Sequence, residues 1–393
     1  MKKTKLVLIA SFVLILLNSC KEDSIAKKSI LEKIETQYSQ LYDSATTKFD
    51  DNLFLPKTIK DNKLRLVSSY EWTSGFYPGS LWYLYELTKD SKWKDRALAY
   101  TKKLDTIQYW EGNHDVGFII ECSYGNAIKD TPSKDFDKII VQTAKSLSTR
   151  FRPRAGIIQS WKKSSKWDCP VIIDNMMNLE LLFHATKISG DSTYYNIAVS
   201  HADTTIKNHF RKDYSTYHVL DYDRETGGIV AKKTAQGYSD ESAWARGQAW
   251  GLYGYTVCYR ETKYPKYLEQ AIKIADYLIN HKNLPNDKIP YWDYDVPVEK
   301  DTPRDASAAS ITASALYELG HFTKDNKQLY LSFADEIMKS LNSPDYFAEE
   351  GTNKGFLLKH SVGSIPHGVE IDVPLNYADY YYLEALYRSK NLK

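Results

Sequence analysis

Cysteine is scarce in this 393-residue chain: only Cys20, Cys122, Cys169 and Cys258 occur. None belongs to a Cys-x-x-Cys pair or a His/Cys cluster, so no metal site is expected and structural zinc is disfavoured. A long apolar run is missing too. Leu6–Leu17 is the candidate, and it is too short to span a bilayer comfortably. Charge of one sign is not in excess, with 52 Lys+Arg against 50 Asp+Glu and a net charge of +2. No basic block stands out beyond the first few residues, so nucleic acid is not an expected partner. What the chain has in plenty is aromatic surface, 31 Tyr and 9 Trp. Most of these rings serve a large helical core. A few are available for sugar faces, since Tyr and Trp join a flat apolar face to a polar edge.

The N-terminus reads as an export signal. Lys2, Lys3 and Lys5 precede the apolar run, which ends in Leu17-Asn18-Ser19-Cys20. A small residue before a cysteine, after a short apolar core, resembles a bacterial lipoprotein signal. That resemblance implies removal of residues 1–19, lipidation of Cys20, and attachment to the membrane by an anchor alone. The mature chain, 20–393, is then an exported lipoprotein, periplasmic or associated with the outer membrane of a Gram-negative bacterium. Removing the signal leaves three cysteines, which cannot form a complete disulfide framework.

Beyond the signal, one grammar repeats. A helix rich in small and apolar residues is followed by a short polar turn and a second, more charged helix. Leu81–Leu87, Thr88–Ser91 and Trp93–Leu104 form one copy. Others begin at Asp174, Ala245 and Asp305, and a weaker one begins at Asp115. With an amphipathic helix over Ile30–Leu41 and a last helix over Leu375–Arg388, about 12 helices result. The expected fold is all-α, an (α/α)6 barrel of six helical hairpins in a single domain. An open solenoid is the competing arrangement. Unequal loop lengths and amphipathic end helices favour closure. The loops before the first helices of the pairs are long and carry Trp, His, Asp and Arg. In a closed ring all of them share one end.

Two of those loops end in aspartates at equivalent places, Asp115 and Asp174. Each fits a helix N-cap, a position that aspartate favours. Each also fits a catalytic carboxyl. Asp174 lies between Val171-Ile172-Ile173 and Met176-Met177, and apolar surroundings raise a carboxyl pKa. A pair of carboxyls with tryptophans nearby suits acid–base chemistry on a sugar. His114 fits either a cleft residue or a hydrogen-bonded structural histidine. Arg246, among small residues, needs a negative partner if buried: an acidic ligand group or an internal salt bridge.

Five stretches then carry a closer resemblance. They are Glu71-Trp72-Thr73-Ser74-Gly75-Phe76, His114-Asp115-Val116-Gly117-Phe118, Ile173–Leu179, Trp244–Trp250 and Asp305–Ala309. In this order they resemble glycoside hydrolase family 88, the unsaturated glucuronyl hydrolases, over about Thr36–Tyr387. The resemblance implies an (α/α)6 barrel without a metal or other cofactor. It implies a substrate with a 4,5-unsaturated uronic acid at its non-reducing end, such as lyase products of glycosaminoglycans or ulvan-like polymers. The reaction would hydrate the vinyl ether, with a proton to C4 and water to C5, after which the hemiketal collapses to a keto acid. Asp174 matches the general acid/base and Asp115 the second essential carboxylate. Trp72, Trp161 and Trp250 match rings packing on the sugars. His114, His218, Gln236 and Arg246 match polar residues around the unsaturated ring. Ser361 and Ser364, with a nearby lysine, match a sulfate-accepting stretch, for which an ordinary polar loop is the alternative. A non-catalytic glycan-binding lipoprotein and an (α/α)6 polysaccharide lyase are the rival readings.

Overall fold

A computed structural model describes residues 28–392 except Phe49 and Asp51. The expected signal and Cys20 lie outside the described residues.

Helix α1 (Ile30–Thr47) opens with a capping box between Ser29 and Glu32. Five pairs of helices follow the repeat, the first two being α2 (Phe76–Thr88) with α3 (Ser91–Lys102), then α4 (Val116–Ile120) and α5 (Asn126–Asp130) with α6 (Lys134–Ser148). Next come α7 (Leu179–Ser189) with α8 (Ser192–His209) and α9 (Ala245–Thr262) with α10 (Pro265–Ile279). The pair α11 (Ala306–Phe322) and α12 (Lys327–Leu341) precedes the last helix, α13 (Asn376–Asn391). A single wide π turn, Glu121–Gly125, joins α4 to α5, so the second inner helix is one rod with a bulge.

The polar turns explain why each pair folds back so tightly. Lys89, Gly190 and Lys263 end their helices in the left-handed conformation. Asp90 and Asp191 then cap the outer helices by accepting from Lys92 N–H and Thr193 N–H. Pro265 starts α10 at a position where its missing N–H costs nothing.

Inner and outer helices differ in burial as their compositions require. Every residue of α9 from Ala245 to Cys258, and of α11 from Ala306 to Gly320, is buried. Outer α6 buries one stripe, including Phe136, Ile140, Thr143 and Leu147. The inner helices touch in ring order: α2, the bulged second helix, α7, α9, α11, α13, and back to α2. The contact of α13 with α2 closes the ring, which excludes the open solenoid. Helix α1 supplies the sixth outer member: Tyr38 reaches Asp379 of α13, and its ring stacks on Tyr77 of α2.

The long loops hold short antiparallel strands that helical periodicity could not reveal. Strands β1 (Leu55–Lys60) and β2 (Lys63–Val67) precede α2. Strands β3 (Phe151–Arg152), β4 (Ile157–Ile158) and β5 (Cys169–Ile172) precede α7. Strands β6 (Val219–Tyr222) and β7 (Ile229–Lys233) precede α9, and β5–β6–β7 form one sheet. Strands β8 (Ser361–Ser364) and β9 (Val369–Val373) precede α13. At the opposite end of the barrel a cavity of about 430 Å3 is lined by charged side chains of the inner helices. There Arg260 pairs with Glu180 and Glu318, and Arg388 pairs with Glu318 and Glu384, tying α7, α9, α11 and α13 together.

Candidate active site

Asp115 stands directly before α4 and makes no side-chain cap bond. Asp174 lies inside a 3-10 turn, Ile173–Asn178, that feeds α7, and the cap position there belongs to Ile172. Neither carboxyl is spent on capping. The two elements approach so closely that Gly117 is required between them. A Cβ there would lie 2.5 Å from Asn178 Oδ1 and 2.7 Å from Asn178 Cα. Asn178 Oδ1 uses that proximity to accept from Phe118 N–H at 2.9 Å.

Burial dominates the electrostatics. It raises the Asp174 carboxyl to about 7, against the opposing pull of Arg246, and Asp115 adds a further upward push whenever it is ionised. Burial raises Asp115 to about 7 as well, opposed by hydrogen bonding from Asn178 and by Arg150. Arg150 is fixed in place by donating to the carbonyls of Gln159, Glu111 and Ser160.

Two histidines flank the pair. His114 is buried, with Nδ1 3.0 Å from Asn175 Oδ1 and Nε2 3.4 Å from Asp115 Oδ1. Burial and Arg150 push it down to about 3, so it stays neutral. His218 Nδ1 accepts from the N–H groups of Ala235 and Gln236, at 3.0 and 3.2 Å. Its Nε2 stands 3.8 Å from Asp174 Oδ2. Burial and Arg246 hold His218 well below its ordinary value. Among the described residues, neither Asp174 Oδ2 nor His218 Nε2 has a hydrogen-bond partner.

The remaining expected residues fall into two groups. Trp72 is partly exposed and leans on Tyr377, with ring centroids 5.1 Å apart. With Gln236, Arg246 and Ser364 it lines a cavity of about 300 Å3. Gln236 Nε2 donates to Gly363 O at 3.2 Å. Trp161 stands 6.2 Å from the His218 ring and the same distance from Trp167. Others are placed differently from expectation. Trp250 is fully buried, its ring packed by Phe118 and Tyr381, so no face is left for a sugar. Its indole Nε1 has no hydrogen-bond partner among the described residues and exerts a small downward pull on the Asp174 carboxyl. Ser361 is also fully buried, in a strand packed against α11, and only Ser364 of the two serines lines the cavity. The adjacent Lys359 is turned away and donates to Pro344 O. Arg246 is satisfied internally: it pairs with Asp305 at 3.3 Å and donates to Val362 O and Gly363 O.

Asn175, Asn178, Arg150 and Trp244 were not singled out by sequence reasoning, though both asparagines stand beside Asp174 in a stretch that was. Trp244 packs on His218 with centroids 4.6 Å apart.

Comparison with known proteins agrees with this geometry. The family model described as Glycosyl Hydrolase Family 88 matches residues 43–280. An unsaturated glucuronyl hydrolase of Formosa agariphila is 45% identical over 384 residues, covering 95% of this chain and 94% of its own. An unsaturated chondroitin disaccharide hydrolase of Streptococcus pyogenes serotype M1 is 33% identical, covering 94% of this chain and 93% of its own. Among solved structures, an unsaturated glucuronyl hydrolase specific for heparin superposes with a TM-score of 0.88 at 48% identity, over 92% of this chain and 96% of that one. The enzyme from Bacillus sp. GL1 gives 0.83 at 28% identity, over 92% and 98%. With a closed helical barrel, two desolvated carboxyls at one mouth and relatives matching nearly its full length, this chain belongs to glycosyl hydrolase family 88.

Proposed function

We propose that the protein removes a 4,5-unsaturated uronic acid from the non-reducing end of polysaccharide-lyase products by hydrating its vinyl ether. The observation that carries this is Asp174. Its carboxyl keeps a proton to about pH 7, and its Oδ2 faces His218 Nε2 across 3.8 Å with neither atom engaged. A carboxylic acid in that state donates its proton to C4 and leaves an oxocarbenium ion at C5. The resulting carboxylate takes a proton from water as that water bonds to C5. One oxygen can touch both Asp174 Oδ2 and His218 Nε2 at an ordinary hydrogen-bond length of about 2.8 Å, which places the water. The hemiketal at C5 then opens to a ketone, and the shortened sugar departs. Asp115 acts beside it as the second carboxyl, positioning the ring. Trp72 and Trp161 offer ring surface at the mouth.

Selection among polymers falls to the cavity beside Ser364. Its cations are already shared: Lys57 pairs with Glu370 at 2.9 Å and Glu71 at 2.8 Å, and Arg65 with Glu370 at 3.3 Å. A sulfate there competes with Glu370. The substrates supported are therefore unsaturated disaccharides of glycosaminoglycans or ulvan-like polymers in which the uronide is the primary determinant. Purified protein should abolish the ultraviolet absorbance of such a disaccharide. Unchanged absorbance across chondroitin, heparin, hyaluronan and ulvan disaccharides would sink this reading, and absorbance gained on intact polymer would point to a lyase.

A further inference from the structure

We propose that the two active-site histidines are locked in opposite tautomers, with Asn175 as the positioning residue that turns a bare Nε2 of His114 toward Asp115. This rests on the reading of Asp115 and Asp174 given above, and it explains how two like carboxyls are held in different environments.

A chain of donors and acceptors fixes the His114 ring. Asn175 Nδ2 donates to Ile158 O at 2.5 Å and lies 3.3 Å from Ser160 Oγ. A backbone carbonyl can only accept, so the NH2 end of the amide must face it. Asn175 Oδ1 therefore faces His114 Nδ1 at 3.0 Å, and that contact is attractive only if Nδ1 carries the hydrogen. Asn178 Nδ2 lies farther off, 3.4 Å from the same nitrogen, and has Asn175 Oδ1 as an alternative acceptor at 3.5 Å. A neutral His114 with its proton on Nδ1 leaves Nε2 as a lone pair, 3.4 Å from Asp115 Oδ1. Two lone pairs repel, so a protonated Asp115 is the favoured state, donating to Nε2.

His218 is built the other way round. Two backbone N–H groups, from Ala235 and Gln236, occupy the Nδ1 side, which can only accept them. The hydrogen must sit on Nε2, which faces Asp174 Oδ2. Asp174 thus meets a donor, whereas Asp115 meets an acceptor. The carboxylate that forms on Asp174 when its proton leaves for C4 is stabilised by His218 and by Arg246. Asp115 keeps its proton and adds no second negative charge. Other titratable groups near the pair are Arg150 and Glu71 around Asp115, and Arg246, His209 and His367 around His218.

The test uses enzyme labelled with 15N only in histidine, with His114→Gln and His218→Gln serving to assign the signals. Two-bond proton–nitrogen correlation spectra report the tautomer directly and need no substrate, so the result stands whatever the activity assay gives. We expect His114 protonated on Nδ1 alone and His218 on Nε2 alone between pH 5 and 8. The same tautomer at both sites, or a charged His114, overturns the proposal. Asn175→Leu removes the acceptor and should flip His114 to Nε2–H. Asp115 would then ionise more readily, its charge would raise Asp174, and the alkaline limb of kcat/KM would move up by about one pH unit. Asn175→Asp keeps Oδ1 and should keep the tautomer. An unflipped His114 in Asn175→Leu also overturns the proposal, and if that variant does not fold, the wild-type spectrum still decides.

Discussion

Asp115 and Asp174 hold their protons to about pH 7, whereas the same side chains in an unfolded chain release them near 3.8. Between those values the folded protein binds more protons than the unfolded one, so its stability falls as pH rises. Each buried carboxyl accounts for up to about 4 kcal/mol of that loss, the full shift at about 1.36 kcal/mol per pKa unit. Asp174→Asn cannot ionise. It should therefore melt a few degrees above wild type at pH 8, with a smaller gap at pH 5, while kcat falls by a factor of about 10² to 10⁴. In the wild type, kcat/KM should fall about tenfold per pH unit above pH 7 as Asp174 loses the proton meant for C4. Thermal melts and absorbance kinetics check both, and a near-wild-type rate would remove Asp174 from its role. At this scale the sequence was informative about the carboxyls, because apolar neighbours and repeat position show in one dimension. It was silent about Asn175 and about the Asp305 partner of Arg246. Which amide atom faces which group, and which residue lies 59 positions away in the chain but 3.3 Å away in space, is settled only by folding.

The helices were legible because each outer one shows a stripe and each turn carries its own stop and start signals, as Lys89-Asp90 and Gly190-Asp191 do. The strands were not, since the longest, β1, has six residues and β3 has two, too few for alternation to be read. Yet these hairpins decide which loop residues reach the mouth: both serines of β8 are buried, and only Ser364 lines the cavity. The contact between α4 and the turn before α7 gives the sharpest test of an element. Gly117→Ala would drive a methyl into the Asn178 backbone and push the two carboxyls apart. A loss of about 1–3 kcal/mol is expected, together with a fall in kcat larger than any rise in KM. Unchanged melting and kinetics would show that the second inner helix has room to move.

The ring of inner helices has five linked hairpins and a sixth made from the two ends of the described chain, α13 inside and α1 outside. Because α13 runs away from the mouth and α1 runs toward it, residues 392 and 28 belong to the end where the other hairpins have their short turns. A circular permutant joining 392 to 28 through a flexible linker, and opened between Gly190 and Asp191, should fold with near-wild-type helix content and activity. Insoluble or inactive permutant would show that the break at Gly190 matters more than the topology. The number of hairpins could be counted in the sequence, but closure could not, since the α13–α2 contact joins segments about 300 residues apart. Closure in parallel register has one more effect. All six inner helices begin at the mouth, and five of them, α2, α4, α7, α9 and α13, start without a side-chain cap. Each helix start carries roughly half an elementary positive charge from its aligned peptide dipoles. A chain with almost no net charge thereby presents a positive funnel at one end only, and a uronate is drawn to the end where the proton is waiting.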